Sequence, residues 1–189
     1  ERLEKLLVEA ICAAHESRVE ARCGVGRGQE DQVAFNRRFR MANGLTATHP
    51  GVGNPHMLEP AGPIDPEVGV LGVWTPAGQC LGCVVNYSCH ATCNPGGISA
   101  NWIYYLEQTI RGVLGPECVV VFLPGACGDV TQVDNRARYA GPGAEESCRQ
   151  VGGRVGAEAV KVLLSMPRGA LRPVAVRDKV LEIPRRRPR

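Results

Sequence analysis

Two short stretches of this chain hold reactive residue types at close spacing. The first, SCHATC over residues 88–93, sets His90 between Cys89 and Thr92, with Cys93 next in line. The second, PGACGDVTQVDN over residues 124–135, carries Cys127, Asp129 and Thr131. A neutral imidazole binds zinc or carries protons, a thiol attacks carbonyls or binds metal, and carboxylates and hydroxyls orient both. Three chemistries therefore compete. A zinc ribbon built from Cys80, Cys83, Cys89 and Cys93 has short spacing within each half, but the interval between the halves is too short and VVNYS reads as strand. Small apolar fillers in a sheet are the better reading of those thiols. A thiol hydrolase would use Cys127 as nucleophile and His90 as base, since GACGD partly resembles a strand-turn-helix nucleophile elbow. Asp129 stands where that elbow wants glycine, and no helical pattern follows directly. The third option makes His90 a metal ligand at a strand end. Of the other histidines, His15 belongs to a helix surface, and His49 and His56 lie in an irregular segment where the sequence suggests no role.

The elements around these stretches decide whether they meet. EVGVLGVW and CLGCVVNYSC, separated by TPAGQ, predict an antiparallel hairpin. Ser99 is a candidate cap for a helix in which Ile103, Leu106, Ile110 and Val113 recur at helical spacing, ended by Gly115-Pro116. CVVVFL then predicts a strand buried on both faces. Strand, helix and strand from Cys80 to Leu123 make a βαβ unit, so its strands run parallel and end at one edge of the sheet. His90 follows one of those ends, and Cys127, Asp129 and Thr131 follow the other. Open α/β folds bind ligands at such an edge.

The fold class expected is α/β: a mixed sheet containing one parallel βαβ unit, with helices packed on it. Residues 1–17 show an amphipathic helix whose Leu3, Leu6, Leu7, Ala10, Ile11 and Ala14 should pack on a neighbour. Residues 23–66, rich in Gly, Asn and Pro, are either a functional surface or a set of short strands hard to recognise. A further helix is predicted over about 145–166 and a last strand over RPVAVRDKVLEI.

With 189 residues, 44% of them hydrophobic, the chain suffices for a single domain over 1–189, or most of one. Its formal charge of +3 becomes −1 without Arg185, Arg186, Arg187 and Arg189 of a basic tail at 185–189. No basic cluster with interleaved aromatics stands upstream, which argues against a nucleic-acid partner. No apolar run reaches transmembrane length. Nine cysteines, an odd number, several inside apolar runs, fit free thiols in a reducing, cytoplasmic compartment. No signal peptide opens the chain, and Glu1 falls inside a helical pattern, so further sequence is expected before it.

Several segments together, FNRRFRM, NP at 54–55, AGPIDPEVGVL, VVNYSCHATC, ISANW and VFLPGACGDVTQVDN, resemble the amino-terminal catalytic domain of the neutral/alkaline, non-lysosomal ceramidase family. The resemblance runs from about Glu1 to Ser165. It implies a zinc-dependent amide hydrolase of lipid metabolism that cleaves the amide joining a fatty acid to a sphingoid base, so a small-molecule N-acyl amide or lipid-like substrate is expected. It also implies that His90 binds zinc, that Arg37 lies near the substrate carbonyl, and that Thr131 replaces the serine of the family's catalytic loop. Gln132 stands where that loop has proline. Asp129 is expected to orient the loop or a ligand. The family's remaining zinc ligands are expected before Glu1 and beyond Arg189, so this chain would hold part of a metal site.

Overall fold

Alternation of valine with smaller residues in EVGVLGVW puts Val68, Val70 and Trp74 on one face of a strand, and all three are buried. The computed structural model describes residues 2–170 and 175–185. In chain order it contains α1 (Arg2–Glu16), β1 (Arg22–Gln29), β2 (Phe35–Asn36), β3 (Arg38–Met41), β4 (Thr46–Thr48), β5 (Met57–Pro60) and β6 (Glu67–Trp74). There follow β7 (Cys80–Tyr87), α2 (Trp102–Leu114), β8 (Val119–Pro124), β9 (Val130–Thr131) and α3 (Ala144–Ser165).

The main sheet has the order β1-β6-β7-β8. β6 and β7 form the expected antiparallel hairpin, and β7 and β8 pair in parallel across α2. The molecule is thus α/β with a mixed sheet, α2 and α3 packing on each other and on one sheet face. Trp74, Val85, Tyr87, Trp102, Leu106, Ile110, Val155 and Leu163 form the centre of that core. Two smaller sheets, β2-β9 and β4-β3-β5, draw β2, β3, β4 and β5 from the segment that looked irregular. That segment is therefore a set of short strands. Its first strand, RCGVGRGQ, lacks a β-branched alternation because Gly24, Gly26 and Gly28 face α3, where a side chain would collide with Met166, Val162 and Glu158.

Four expectations need correction. β8 is an edge strand, with Val119, Val121 and Leu123 between 44% and 56% exposed, so only one of its faces meets the core. The apolar run reads like a two-sided strand because the outer sheet face is apolar as well, through Val25, Leu71 and Val84. α1 forms, yet none of its residues is buried, and its leucine stripe packs on nothing among the described residues. The α2 cap is Asn101, whose side chain accepts from the Trp102 N–H at 2.9 Å; the Ser99 hydroxyl instead accepts from the Asn101 N–H at 2.8 Å. Of the predicted last strand, residues 175–183 form no strand and 172–174 lie outside the described residues, as do residues 186–189 of the basic tail. No helix among the described residues is long and apolar enough to cross a membrane.

An ion pair with its carboxylate buried closes the core beside β7. Arg154 of α3 donates to both oxygens of Glu30 at 2.9 and 3.0 Å, and Glu30 is 7% exposed. The Tyr87 hydroxyl donates to the Glu30 carbonyl at 2.7 Å, joining α3, the end of β1 and the end of β7. Removing the Arg154 charge would leave the Glu30 carboxylate buried without its partner, whereas Arg154, half-exposed, would stay solvated without Glu30.

Two outcomes test this packing. A Cβ on Gly152 would overlap the Trp102 carbonyl oxygen and meet the Leu106 nitrogen at 2.7 Å, so Gly152→Ala should destabilise by about 1–3 kcal/mol in urea unfolding. Gly153→Ala, with open space around it, should stabilise by about 0.5–1 kcal/mol. The buried thiols supply a pH test. Burial pushes Cys83 up to about 11 and Cys89, Cys93 and Cys118 up to about 12, from an ordinary 9.0. Above pH 9 the unfolded chain sheds these protons and the folded one keeps them. Stability should therefore be level below that pH and fall from about 9 towards 12, as followed by urea midpoints across the range.

Candidate active site

β9 is two residues long and bonded on both edges. On one edge it pairs with β2, Phe35 opposite Thr131 and Asn36 opposite Val130, and the ladder continues as the Arg37 N–H donates to the Asp129 carbonyl at 2.7 Å. On the other edge the His90 N–H donates to the Val130 carbonyl at 3.1 Å. Parallel pairing of β7 with β8 brings the two chain ends near enough for this contact. The four candidate residues Arg37, His90, Asp129 and Thr131 thus converge on one short strand.

Each is held by specific partners. The His90 carbonyl accepts from the indole N–H of fully buried Trp102 at 3.0 Å, and Trp102 is itself fixed edge-on to Phe122 and Tyr87. His90 Nδ1 lies 3.1 Å from Cys127 Sγ. Asp129 Oδ2 accepts from the side-chain amide of Asn36 at 2.8 Å, and Asn36 also donates to the Pro63 carbonyl and accepts from the Arg38 N–H. Asp129 is therefore tethered by an amide that is itself 4% exposed. The Arg37 Nη2 donates to the Gly128 carbonyl at 2.7 Å, while its Nε is buried with no hydrogen-bond partner. Thr131 is 1% exposed and its hydroxyl accepts from the Val133 N–H at 3.3 Å, so it braces its own loop.

Gln132, at the position where the resembled loop has proline, makes two bonds across to the other chain end. Thr92 Oγ1 donates to Gln132 Oε1, and Gln132 Nε2 donates to the Thr92 carbonyl, both at 3.1 Å. The side-chain latch restrains the loop from outside, where a proline would restrain it from within. Thr92 and Gln132 also border a cavity of about 460 Å³ whose other walls include Val33, Phe35, Val133, Pro142 and Val151.

Asn36 and Trp102 stand inside the segments FNRRFRM and ISANW, but sequence reasoning assigned neither an individual role, because each acts through bonds to residues outside its own segment. The structure also separates the cysteines of the imagined zinc ribbon. Cys80 and Cys83 lie on β7 near its start, Cys80 being 3.5 Å from Cys118, whereas Cys89 and Cys93 lie beyond its far end. Cys127 does sit at a turn after a strand, but the chain continues into β9 and not into a helix.

As a metal site the donor set is incomplete. No group of three or more His, Cys, Asp or Glu among the described residues could hold a metal ion. Catalytic zinc takes three protein ligands, so these residues alone do not make a zinc site. His90 fits as a single ligand: with the proton on Nδ1, directed at Cys127, Nε2 keeps the lone pair that a metal requires.

The fold and edge cluster define an α/β domain with its polar site where two parallel strands end. Two solved structures with a similar fold over part of their length are ceramidases. The chain superposes on neutral ceramidase from Pseudomonas aeruginosa with a TM-score of 0.62 and 19% identity, covering 84% of this chain and 25% of that one. It superposes on a ceramidase complexed with C2 with a TM-score of 0.59 and 20% identity, covering 77% and 22%. The shared property is the fold, and the chain spans about a quarter of the length of those structures. No protein-family model and no curated protein matches the sequence.

Loss of the Asn36 amide would strand Asp129 Oδ2, the Pro63 carbonyl and the Arg38 N–H together. Asn36→Ala should therefore cost roughly 1–3 kcal/mol in denaturant unfolding, against a change within about 0.5 kcal/mol for exposed Thr46→Ala. Equal effects of the two would show that the tether carries no weight.

Proposed function

We propose that this chain is the site-bearing part of an amide hydrolase that cleaves an N-acyl amide, with a small lipid-like substrate of the kind the ceramidase fold accommodates. The observation that carries the reading is the convergence of Arg37, His90, Asp129 and Thr131 on β9, within a fold shared with neutral ceramidase. Arg37 would face the scissile carbonyl, where a guanidinium already fixed by the Gly128 carbonyl needs little reorganisation to stabilise developing negative charge. Asp129, held by Asn36, would orient the loop that presents Arg37, and Thr131 would keep the loop's backbone aligned for substrate or water. Zinc, when bound with His90 as one ligand, would supply water activation and carbonyl polarisation. The free state of all nine cysteines fits a reducing, cytoplasmic setting.

A second reading is favoured by one specific contact. Cys127 and His90 lie at thiol–imidazole hydrogen-bond distance, the first requirement of a cysteine nucleophile with its base. A third keeps the fold and binding without turnover. Metal analysis separates them. The full-length gene product, purified without added metal, should carry about one zinc per chain, and His90→Ala should lose it. Zinc that survives the substitution would remove His90 from the ligands. A protein without zinc, with activity stopped by a thiol alkylator and untouched by a chelator, would replace the metal reading with the cysteine one.

A further inference from the structure

At the starts of β7 and β8, the end of the sheet opposite the site, two thiols lie against each other. Cys80 opens β7 directly after the hairpin turn, and Cys118 stands immediately before β8, after the turn that ends α2. Their sulphurs are 3.5 Å apart and both residues are buried. The fold sets each of them. In the ladder between β6 and β7, Val73 faces Gly82 and Trp74 faces Cys80, so Leu81 is skipped. That irregularity turns Cys80 to the core side together with buried Trp74. Cys118 is fixed through its backbone: its N–H donates to the Gly115 carbonyl at 3.1 Å, and its own carbonyl accepts from Arg111 Nε at 3.0 Å.

Two sulphurs touching in a core can be simple packing, since a free thiol behaves as a small apolar group. Here the placement goes further. Paired strands run about 4.8 Å apart, inside the Cα separation that a disulfide spans. The β7–β8 ladder begins at Gly82 opposite Val119, so the two cysteines enter neighbouring strands at the same end of it. An S–S bond of about 2.05 Å asks the sulphurs to close by about 1.5 Å, which side-chain rotation supplies without re-pairing the strands. β8 is paired along one edge only and its outer face is exposed. A bond from Cys80 to Cys118 would staple this strand to β7 and close the βαβ unit at its base.

We infer that Cys80 and Cys118 are a disulfide site, reduced in a reducing compartment and closed when the chain meets a small disulfide oxidant of the glutathione type. The inference is independent of the amide-hydrolase reading. Cys80, 9% exposed against 1% for Cys118, is the sulphur an external disulfide reaches first. Its thiolate attacks one sulphur of the oxidant, forming a mixed disulfide and releasing one thiolate. The Cys118 thiolate then attacks the Cys80 sulphur, forms the internal bond and expels the second thiolate. The two protons lost by the protein end on the two released thiols. Two electrons thus pass from the cysteine pair to the external disulfide. Because both sulphurs are buried, exchange takes place as the chain folds or while the edge strand β8 is open. The closed bond leaves His90 and Cys127, at the far ends of the two strands, untouched.

The test uses the full-length protein, both native and refolded from urea, exposed to oxidised glutathione and then denatured in N-ethylmaleimide to block the remaining thiols. Mass spectrometry of a digest should find the Cys80 and Cys118 peptides as one linked species that dithiothreitol separates. The oxidised protein should unfold at a urea midpoint about 1 M or more above that of the reduced protein. Cys118→Ser should abolish that difference, and Cys12→Ser, on the exposed α1, should keep it. Both thiols blocked by N-ethylmaleimide in native and refolded samples alike would overturn the site. So would a bridge from Cys80 or Cys118 to any other cysteine, or glutathione held on Cys80 with Cys118 left free. Linkage mapping on the unsubstituted chain decides the matter even if the serine variants fail to fold.

Discussion

Parallel pairing of β7 with β8 is the constraint on which the rest of the structure depends. A parallel ladder requires a crossover, and α2 supplies it while also filling the core with Trp102, Leu106 and Ile110. Once both strands run the same way their ends share an edge, and the polar residues that follow them meet there. An antiparallel arrangement of the same two strands would have sent His90 and Cys127 to opposite ends of the sheet.

Holding that edge open to chemistry needs more than topology, because the end of a strand has backbone groups with no ladder to join. β9 answers this by accepting partners on both edges, β2 on one and His90 on the other. Buried Asn36 and Trp102 and the half-buried Gln132 then take the remaining bonds: Asn36 to Asp129, Trp102 to the His90 carbonyl, Gln132 to Thr92. These bonds are short-range and directional, so the reactive groups inherit the rigidity of the core. The Glu30–Arg154 pair does the same at the neighbouring end of β1, tying α3 to β7 through the Tyr87 hydroxyl.

The outer face of the sheet and α1 behave differently. Each carries apolar side chains that stay at least partly exposed, in a chain that spans about a quarter of the structures sharing its fold. The helix-bearing face has the tight interlocking expected of a core, down to glycines where α2 and α3 touch.

Much of this was legible in the amino-acid order. Hairpin, crossover helix and parallel strand followed from local periodicity, and the βαβ rule carried that local reading to a shared edge for His90, Cys127, Asp129 and Thr131. Short-range physics sufficed because those elements are continuous in sequence and each has a strong pattern. It failed where the pattern was ambiguous or the partner distant. An apolar run such as CVVVFL looks the same whether its second face meets a core or solvent, and RCGVGRGQ hides a strand because its glycines answer to α3, more than a hundred residues away. Asn36 and Trp102 have no helical or strand periodicity that announces a role; what makes them matter is the atom each one meets. Composition and periodicity determined that this chain is an α/β fold with a polar rim. Which side chains hold that rim only the tertiary structure decided, since hydrogen bonds and charge act through distance in space and not through separation along the chain.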